Sequence, residues 1–313
     1  MKAIVTGGAG FIGSHLVGKL AALGWEVEVM DLLTSQHRRD WEQETLPEDR
    51  ERVTLKQVDI SENHWDFKGA NVVFHLAAES NVDRSLRNPT KFWQTNVMGT
   101  VNVMEKAIRH RPIVVHVSTD EVYGPRTVPA FECEEMLPTS PYAQSKAAAE
   151  FVANSAHRTY GLDVRIVRPG NAYGIGQFHD KLTPRILNAT PEDPLPIYGH
   201  GRQEREWTRV EDIADALILV AERGQAGRIY NASSGESITN RKYVSLFETL
   251  LKRSVPTKTI EDPRGDDHDL SYRISSKRLR KLGWCPMEIA DGLELLISDW
   301  GESLPSTSSQ GHR

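Results

Sequence analysis

Across the first 170 positions, short apolar runs alternate with longer stretches in which apolar and polar residues recur at helical spacing. The runs are Lys2 to Thr6, Glu26 to Met30, Val53 to Val58, Val72 to His75, Ile113 to Ser118 and Val164 to Val167. Several are apolar throughout rather than alternating, which suits strands buried on both faces of a parallel sheet. Helical spacing marks Phe11 to Leu23, Pro89 to His110, Pro141 to Tyr160 and, further along, Val210 to Arg223. Strand followed by helix, repeated, predicts an α/β fold: a Rossmann-like, doubly wound parallel sheet with helices on its faces. Past residue 170 the rhythm gives way to loops rich in Gly and Pro, such as Pro191 to Gly201 and Pro263 to Asp269, which read as substrate-binding insertions. No internal repeat is visible. The last stretch, Pro305 to Arg313, holds Ser, Thr, Gly and Gln without an apolar anchor and is expected to be disordered.

Composition narrows the class. The 313 residues are 39% hydrophobic and 26% charged, enough apolar material for one large domain or two packed lobes. A net charge of −5, with both signs mixed and no basic block, gives no nucleic-acid footprint and no membrane-surface patch. An anionic substrate would therefore need locally placed arginines. No apolar run approaches the roughly 18 to 20 residues that cross a bilayer, and Met1-Lys2 leads straight into the first strand, with no room for a signal peptide. Cys133 and Cys285 lie far apart without metal-ligand spacing, so neither a disulfide framework nor a metal site is expected. A cytoplasmic location follows, and the sequon Asn231-Ala232-Ser233 reads as chance.

The first strand runs into Gly7-Gly8-Ala9-Gly10-Phe11-Ile12-Gly13 and then a helix. Glycines at 7, 10 and 13 suit a tight turn whose backbone N–H groups approach a pyrophosphate, at a helix N-terminus carrying about half a positive charge. Asp31 ends the second strand, where a carboxylate accepts from both ribose hydroxyls of a dinucleotide and repels a 2′-phosphate. NAD is expected over NADP, held by Gly7, Gly10, Phe11, Ile12, Gly13 and Asp31. Asp59 and Ile60, after the third strand, are placed against the adenine; Ala77 and Ala78, after the fourth, line the cleft. His75, inside an apolar run, reads as a core histidine. Residues 1–170 would form an NAD-binding domain to which some later segments return, and 171–304 mainly a smaller, C-terminal, substrate-binding domain.

Tyr142 and Lys146 stand four apart at the start of a helical stretch and so share one face. A nearby ammonium, joined by the positive nicotinamide, is expected to bring the phenol from its usual pKa of about 10 towards neutrality. Such a Tyr can take the proton of a sugar hydroxyl while hydride leaves for NAD. Upstream, the fifth strand ends in Ser118-Thr119-Asp120-Glu121-Val122-Tyr123-Gly124, at the carboxyl edge where function collects in open α/β sheets. Asp120 and Glu121 suit acid and base roles if their environments push their pKa values apart.

Together, TGGAGFIGSH, HLAAESNVDRS, STDEVYG, SPYAQSKAAAE, LPIYGHGRQEREW and VEDIADAL resemble the extended short-chain dehydrogenase/reductase superfamily, most of all its dTDP-glucose 4,6-dehydratase branch. The resemblance is dense to Leu219 and thinner to Trp300. It implies tightly bound NAD, a sugar-nucleotide-binding C-terminal domain, a nucleotide-diphosphate sugar as substrate and a homodimer through a four-helix bundle. By position it implies that Tyr142 deprotonates the hydroxyl at sugar carbon 4, Thr119 bonds that oxygen and Lys146 binds the nicotinamide ribose. Glu121 would remove the proton at carbon 5 and Asp120 protonate the hydroxyl leaving carbon 6, giving a 4-keto-6-deoxy product. Asn96 and Ser118 join the cofactor side. Ser80, Asn81, Arg84, Asn171, Lys181, Leu182 and Arg205 fall to the substrate, an arginine suiting phosphate through bidentate bonds.

The chain also departs from the branch. Only Pro125 to Ser140 separates STDEVYG from the Tyr, where longer inserts stand, and Pro263-Arg264-Gly265-Asp266-Asp267 replaces an Arg-Pro-Gly-His-Asp run, so Arg264 joins the substrate set by position alone. A UDP-sugar 4-epimerase or UDP-glucuronate decarboxylase of the same superfamily would share Tyr142 and Lys146 but need no Asp-Glu pair. A non-catalytic NAD-binding sensor would need none of Thr119, Tyr142 and Lys146.

Overall fold

The apolar runs assemble into one parallel sheet of seven strands. The computed structural model describes residues 1–33, 50–262 and 270–303. Its strands are β1 (Lys2–Thr6), β2 (Glu26–Asp31), β3 (Val53–Gln57), β4 (Val72–His75), β5 (Ile113–Val117), β6 (Val164–Pro169), β7 (Asn171–Tyr173), β8 (Leu195–Tyr198), β9 (Glu204–Arg209), β10 (Ile229–Ala232), β11 (Ser237–Thr239) and β12 (Thr257–Ile260). The large sheet has the order β10-β6-β5-β4-β1-β2-β3, every neighbouring pair parallel. The chain builds outward from β1 to β3, then crosses to the other side of β1 to lay down β4. That reversal opens a crevice at the carboxyl ends of β1 and β4, the place where ligands bind in sheets of this kind.

The helices are α1 (Phe11–Ala22), α2 (Val82–Arg87), α3 (Pro89–Phe92), a π-helical segment (Trp93–Met98), α4 (Gly99–His110), α5 (Pro141–Tyr160), α6 (Leu182–Asn188), α7 (Val210–Arg223), α8 (Asn240–Leu251), α9 (Lys277–Arg280) and α10 (Ile289–Ser303). One face of the sheet is closed by α1 and α7, through Leu16, Leu20, Val29, Phe74 and Leu217. On the other, α4 and α5 bury Val73, Val103, Val114 and Ala153. A separate cluster, with Trp207 stacked on Tyr243 at 4.0 Å and joined by Ile186, Phe247 and Leu293, holds β9, α6, α8 and α10 together. The small sheets are β11-β9-β7 and β12-β8.

The predicted strands and helices fall within about two residues of the observed ones, with two departures. Pro89 to His110 is helical throughout but passes through the π segment, a wide turn that recurs at functional sites. Pro191 to Gly201 is not all loop, since it contains β8, paired in parallel with β12 across some sixty residues of chain. No periodicity marks a four-residue strand whose partner lies so far away. Asn231 of the sequon is fully buried in β10 and its Oδ1 accepts from the Tyr123 hydroxyl, so no glycan can reach it. Arg264 and the tail 305–313 lie outside the described residues.

Candidate active site

Two glycines of the first turn are required by contact. Gly7 has φ +73° and a Cβ there would sit 2.6 Å from the Ala77 nitrogen; a Cβ at Gly13 would sit 2.2 Å from the Gly7 carbonyl oxygen. Their absence of side chains lets α1 begin flush against the ends of β1 and β4. The N-cap of α1 is Gly10, with no capping side chain and no acid in the first turn. Its amides can therefore serve an anion. Asp31 is fixed opposite, Oδ2 accepting from Ala9 N at 3.1 Å and Oδ1 from Leu33 N at 3.0 Å. Lone pairs remain on both oxygens for a diol. Amides for a pyrophosphate and an oriented carboxylate for a ribose form a donor and acceptor set that fits NAD.

The other residues expected at the cofactor divide into two groups. Phe11, Ile12, Ala77 and Ala78 are half-buried beside the turn, and Ile60 is buried against Gly99. Asp59 Oδ1 accepts from the amide and hydroxyl of Ser61, at 2.8 and 2.7 Å. Asn96 is different. It is buried and both amide protons are used inside the protein, Oδ1 accepting from Glu79 N and Nδ2 donating to Glu79 O and Ser145 Oγ. The Asn96 amide thus ties the segment after β4 to α5.

The helix carrying Tyr142 starts and stops where local chemistry dictates. Ser140 Oγ accepts from Ala143 N, Pro141 occupies the first turn, and Gly161 closes the helix at φ +64°. Tyr142, Lys146 and Glu150 consequently share one buried face. Lys146 Nζ donates to Val117 O at 2.7 Å, at the end of β5. Thr119, just beyond, hydrogen-bonds the Tyr142 phenol and donates to Asp120 Oδ1 at 3.2 Å. Asp120 to Tyr123 form a 3-10 turn in which Asp120 is buried and Glu121 half-buried.

Burial sets the charges. The Asp120 carboxyl is pushed up to about 8, first by loss of water, then by Glu121 and Glu206, against the pull of Arg205 and the Thr119 hydrogen bond. Asp120 therefore keeps its proton at neutral pH. Its Oδ2 and the Ser118 hydroxyl are buried without a partner among the described residues, as polar groups awaiting a ligand would be. Lys146 is drawn down to about 8 by burial, which Glu150 partly offsets. The expected acidified Tyr142 phenol depends on the positive nicotinamide as well as on Lys146. In the protein alone burial, then Glu121 and more weakly Asp120, push the phenol well above its ordinary value, against the Thr119 hydrogen bond. The spacing that joins Tyr142 to Lys146 also removes both from water, and the charged form suffers first.

On the presumed substrate side, Arg205 is buried, not a surface salt bridge. Its Nη1 donates to Glu204 O at 2.7 Å, its guanidinium lies 4.7 Å over the Tyr272 ring, and its charge reaches Asp120. Thr119, Asp120, Glu121, Tyr142, Lys146 and Arg205 are thus one cluster. Asn81 caps α2, Oδ1 accepting from Arg84 N, and Nδ2 donates to Asp180 Oδ2 at 3.0 Å. Arg84 pairs with Glu79 at 3.2 Å, beside exposed Ser80. Asn171 begins β7, and Lys181 and Leu182 are the N-cap and first residue of α6.

Sequence reasoning missed several contributors. Glu206, next to Arg205 and buried, accepts from Ser233 Oγ at 2.5 Å and Ile274 N at 3.2 Å and adds to the field on Asp120. Glu150 holds Arg168 by two bonds of 2.6 and 2.8 Å, and Arg168 covers the Tyr123 ring at 4.5 Å. Only Glu150 carried a signal, its place four residues beyond Lys146.

Residues 3–233 match the family model described as NAD dependent epimerase/dehydratase family. The chain is 37% identical to dTDP-glucose 4,6-dehydratase from Streptomyces griseus, with 98% of each chain covered. It is 36% identical to dTDP-glucose 4,6-dehydratase 1 of Escherichia coli (strain K12), over 92% of this chain and 89% of that one. Among solved structures it resembles a dTDP-glucose 4,6-dehydratase from Streptomyces venezuelae crystallised with NAD, at TM-score 0.88, 36% identity and 97% and 98% coverage. A UDP-glucose 4-epimerase from Thermotoga maritima superposes at TM-score 0.86, with 28% identity and 97% and 100% coverage.

Proposed function

Since this chain belongs to the NAD dependent epimerase/dehydratase family, we propose that it is an NAD-dependent lyase that removes water from dTDP-glucose and leaves a 4-keto-6-deoxy sugar nucleotide. The observation that carries this reading is Asp120. It is a buried carboxyl held near pKa 8, with one oxygen unpartnered among the described residues, hydrogen-bonded to Thr119, the residue that also holds the Tyr142 phenol. Oxidation or epimerisation at carbon 4 has no use for a carboxylic acid kept protonated there, whereas expulsion of a hydroxyl does.

The chain's residues divide the work by position. The glycine turn of 7, 10 and 13, with Phe11 and Ile12, and the Asp31 carboxylate would hold NAD, with Ser118, Ala77 and Ala78 along the cleft and Asp59 and Ile60 near the adenine. NAD held there would supply the hydride chemistry, as acceptor from sugar carbon 4 and donor to carbon 6. Tyr142 takes the proton of the carbon 4 hydroxyl, oriented by Thr119. Its phenol is too weak an acid in the bare protein, so the cation of the bound cofactor and Lys146 must offset burial before it can act. Glu121 removes the proton at carbon 5 and returns it after elimination, and Asp120 protonates the hydroxyl that leaves carbon 6 as water. Arg205, Asn171, Lys181 and Leu182 would hold the diphosphate and sugar, with Ser80, Asn81 and Arg84 along the cleft.

Residues 1–170, with α7 and β10, would form the NAD domain, and most of 171–304 the sugar-nucleotide domain. Exposed Trp93 and Met98 of the π-helical segment that leads into α4, with exposed Phe151 of α5, support a homodimer built on those helices. A reducing cytoplasm is supported by two exposed free thiols, Cys133 and Cys285. Among the described residues no helix is long and apolar enough to cross a membrane. The test is incubation with dTDP-glucose, UDP-glucose and UDP-glucuronate followed by mass spectrometry. Loss of one water from dTDP-glucose supports the proposal. Unchanged mass with epimerisation, or loss of carbon dioxide from UDP-glucuronate, replaces it.

A further inference from the structure

His75 and His116 lie side by side on β4 and β5, both buried, with ring centroids 5.2 Å apart. Their surroundings are unlike. Both ring nitrogens of His116 lack a partner among the described residues, while both of His75 are bonded. The direction of each bond can be deduced. Thr100 Oγ1 has one proton, and at 2.6 Å from the Asn96 carbonyl it must donate it there. Thr100 Oγ1 therefore accepts from His75, so His75 Nε2 carries a proton. In a neutral ring Nδ1 is then bare and accepts from Thr6 Oγ1 at 2.8 Å. Thr6 Oγ1 in turn accepts from Ala77 N at 3.4 Å, the longest link.

This run ends on the Asn96 carbonyl, and a second one starts from the Asn96 side chain. Asn96, in the π-helical segment, grips both backbone groups of Glu79 and donates from Nδ2 to Ser145 Oγ at 2.9 Å. Ser145 Oγ donates to the carbonyl of Tyr142 at 2.7 Å. Two runs that meet at Asn96, one at its backbone carbonyl and one at its side-chain amide, thus tie the segment after β4, which lines the proposed cofactor cleft, to the first turn of α5. We propose that His75, locked in its Nε2–H form, is a positioning residue that fixes the cleft wall and the Tyr142 helix relative to one another. The inference rests on the reading of Tyr142 as the base.

A protonated ring would have to donate from Nδ1 as well, which Thr6 could receive only by turning its own proton elsewhere. The fold guards against this. The ring is buried, and Lys146 of α5 lowers its proton affinity further, while His116 of β5, the other titratable group beside it, has its own proton affinity lowered by burial, Lys146 and His75.

The test uses full-length protein loaded with NAD. Histidine ring 15N spectra should show His75 with Nε2 protonated and Nδ1 bare, unchanged from pH 5 to 9; an Nδ1–H ring, or one that titrates in that range, overturns the chain. His75→Leu and the nearly isosteric Thr100→Val should each lower kcat by about tenfold with little change in KM, and release NAD faster. His75→Gln, which can still donate to Thr100, should recover most of the loss. His116→Leu, at equal depth but outside the chain, should leave kcat and NAD retention unchanged. Equal impairment of all four, tracking their melting temperatures, would mean that His75 only fills space. If dTDP-glucose proves not to be the substrate, the ring spectra and NAD retention still decide the matter.

Discussion

The ends of β1 and β5 lie two strands apart in one sheet, with β4 between them, and offer opposite means of holding a ligand. At β1 the protein offers backbone and empty space: glycines whose Cβ atoms would collide, and an uncapped helix start. At β5 it offers side chains stripped of water, a carboxyl near pKa 8 and an ammonium also near 8. The first site depends on shape and so on single small residues. The second depends on the local dielectric, and so on everything packed above it.

The largest effect is expected at the second site. Tyr142→Phe should abolish formation of reduced cofactor while sugar-nucleotide binding is nearly kept, as absorbance and calorimetry would read; a variant that still reduces NAD at a normal rate excludes Tyr142 as the base. Next come Asp120→Asn and Glu121→Gln, each expected to slow overall turnover by roughly 10² to 10⁴, the range for positioned acid-base groups, while the cofactor is still reduced. Glu121→Gln should also lose solvent deuterium exchange at carbon 5. Near-wild-type turnover in both variants would return the lead to an epimerase or decarboxylase.

Shape should give way more gently. In Gly13→Ala the methyl group meets the Gly7 carbonyl at 2.2 Å, and overpacking of this kind costs about 1–3 kcal/mol. NAD affinity should fall by about tenfold or more, since each 1.4 kcal/mol is a factor of ten. Unaltered affinity would mean that the turn yields and that the contrast with β5 is overdrawn. The smallest effects concern pH. Turnover should decline as pH rises through about 8, where Asp120 loses its proton and Lys146 its charge; a flat rate profile there would count against both assignments. Stability has the same sign at Asp120. Its folded pKa is raised from 3.8 to about 8, so the folded state binds the proton more tightly and loses stability as pH climbs between those values. Asp120→Asn should therefore melt at the same or a higher temperature than the parent at pH 8, a gain that accompanies loss of function in strained sites.

Much of this was legible from residue order. Short apolar runs alternating with helical stretches suit buried strands, and the glycine turn, Asp31, and the pair Tyr142 and Lys146 announce themselves because their chemistry is local: contiguous residues or one helix face. Asn96 shows where legibility stops. Its residue type suits a cofactor contact, yet the π segment turns its amide inward onto Glu79 and Ser145.

The sequence by itself determined the parallel sheet, the dinucleotide turn and the residue types of the acid-base cluster, because each is written in neighbours or in a period. Only the tertiary structure decided that the Asp120 carboxyl holds its proton more tightly than an ordinary one, that Glu206 and Arg205 share in setting it, that the Tyr142 phenol resists ionisation in the bare protein, and which nitrogen of His75 carries hydrogen. The reason is common to all four. A proton's free energy depends on the water removed and the charges gathered around it, and that gathering is done by strands and helices far apart in the chain.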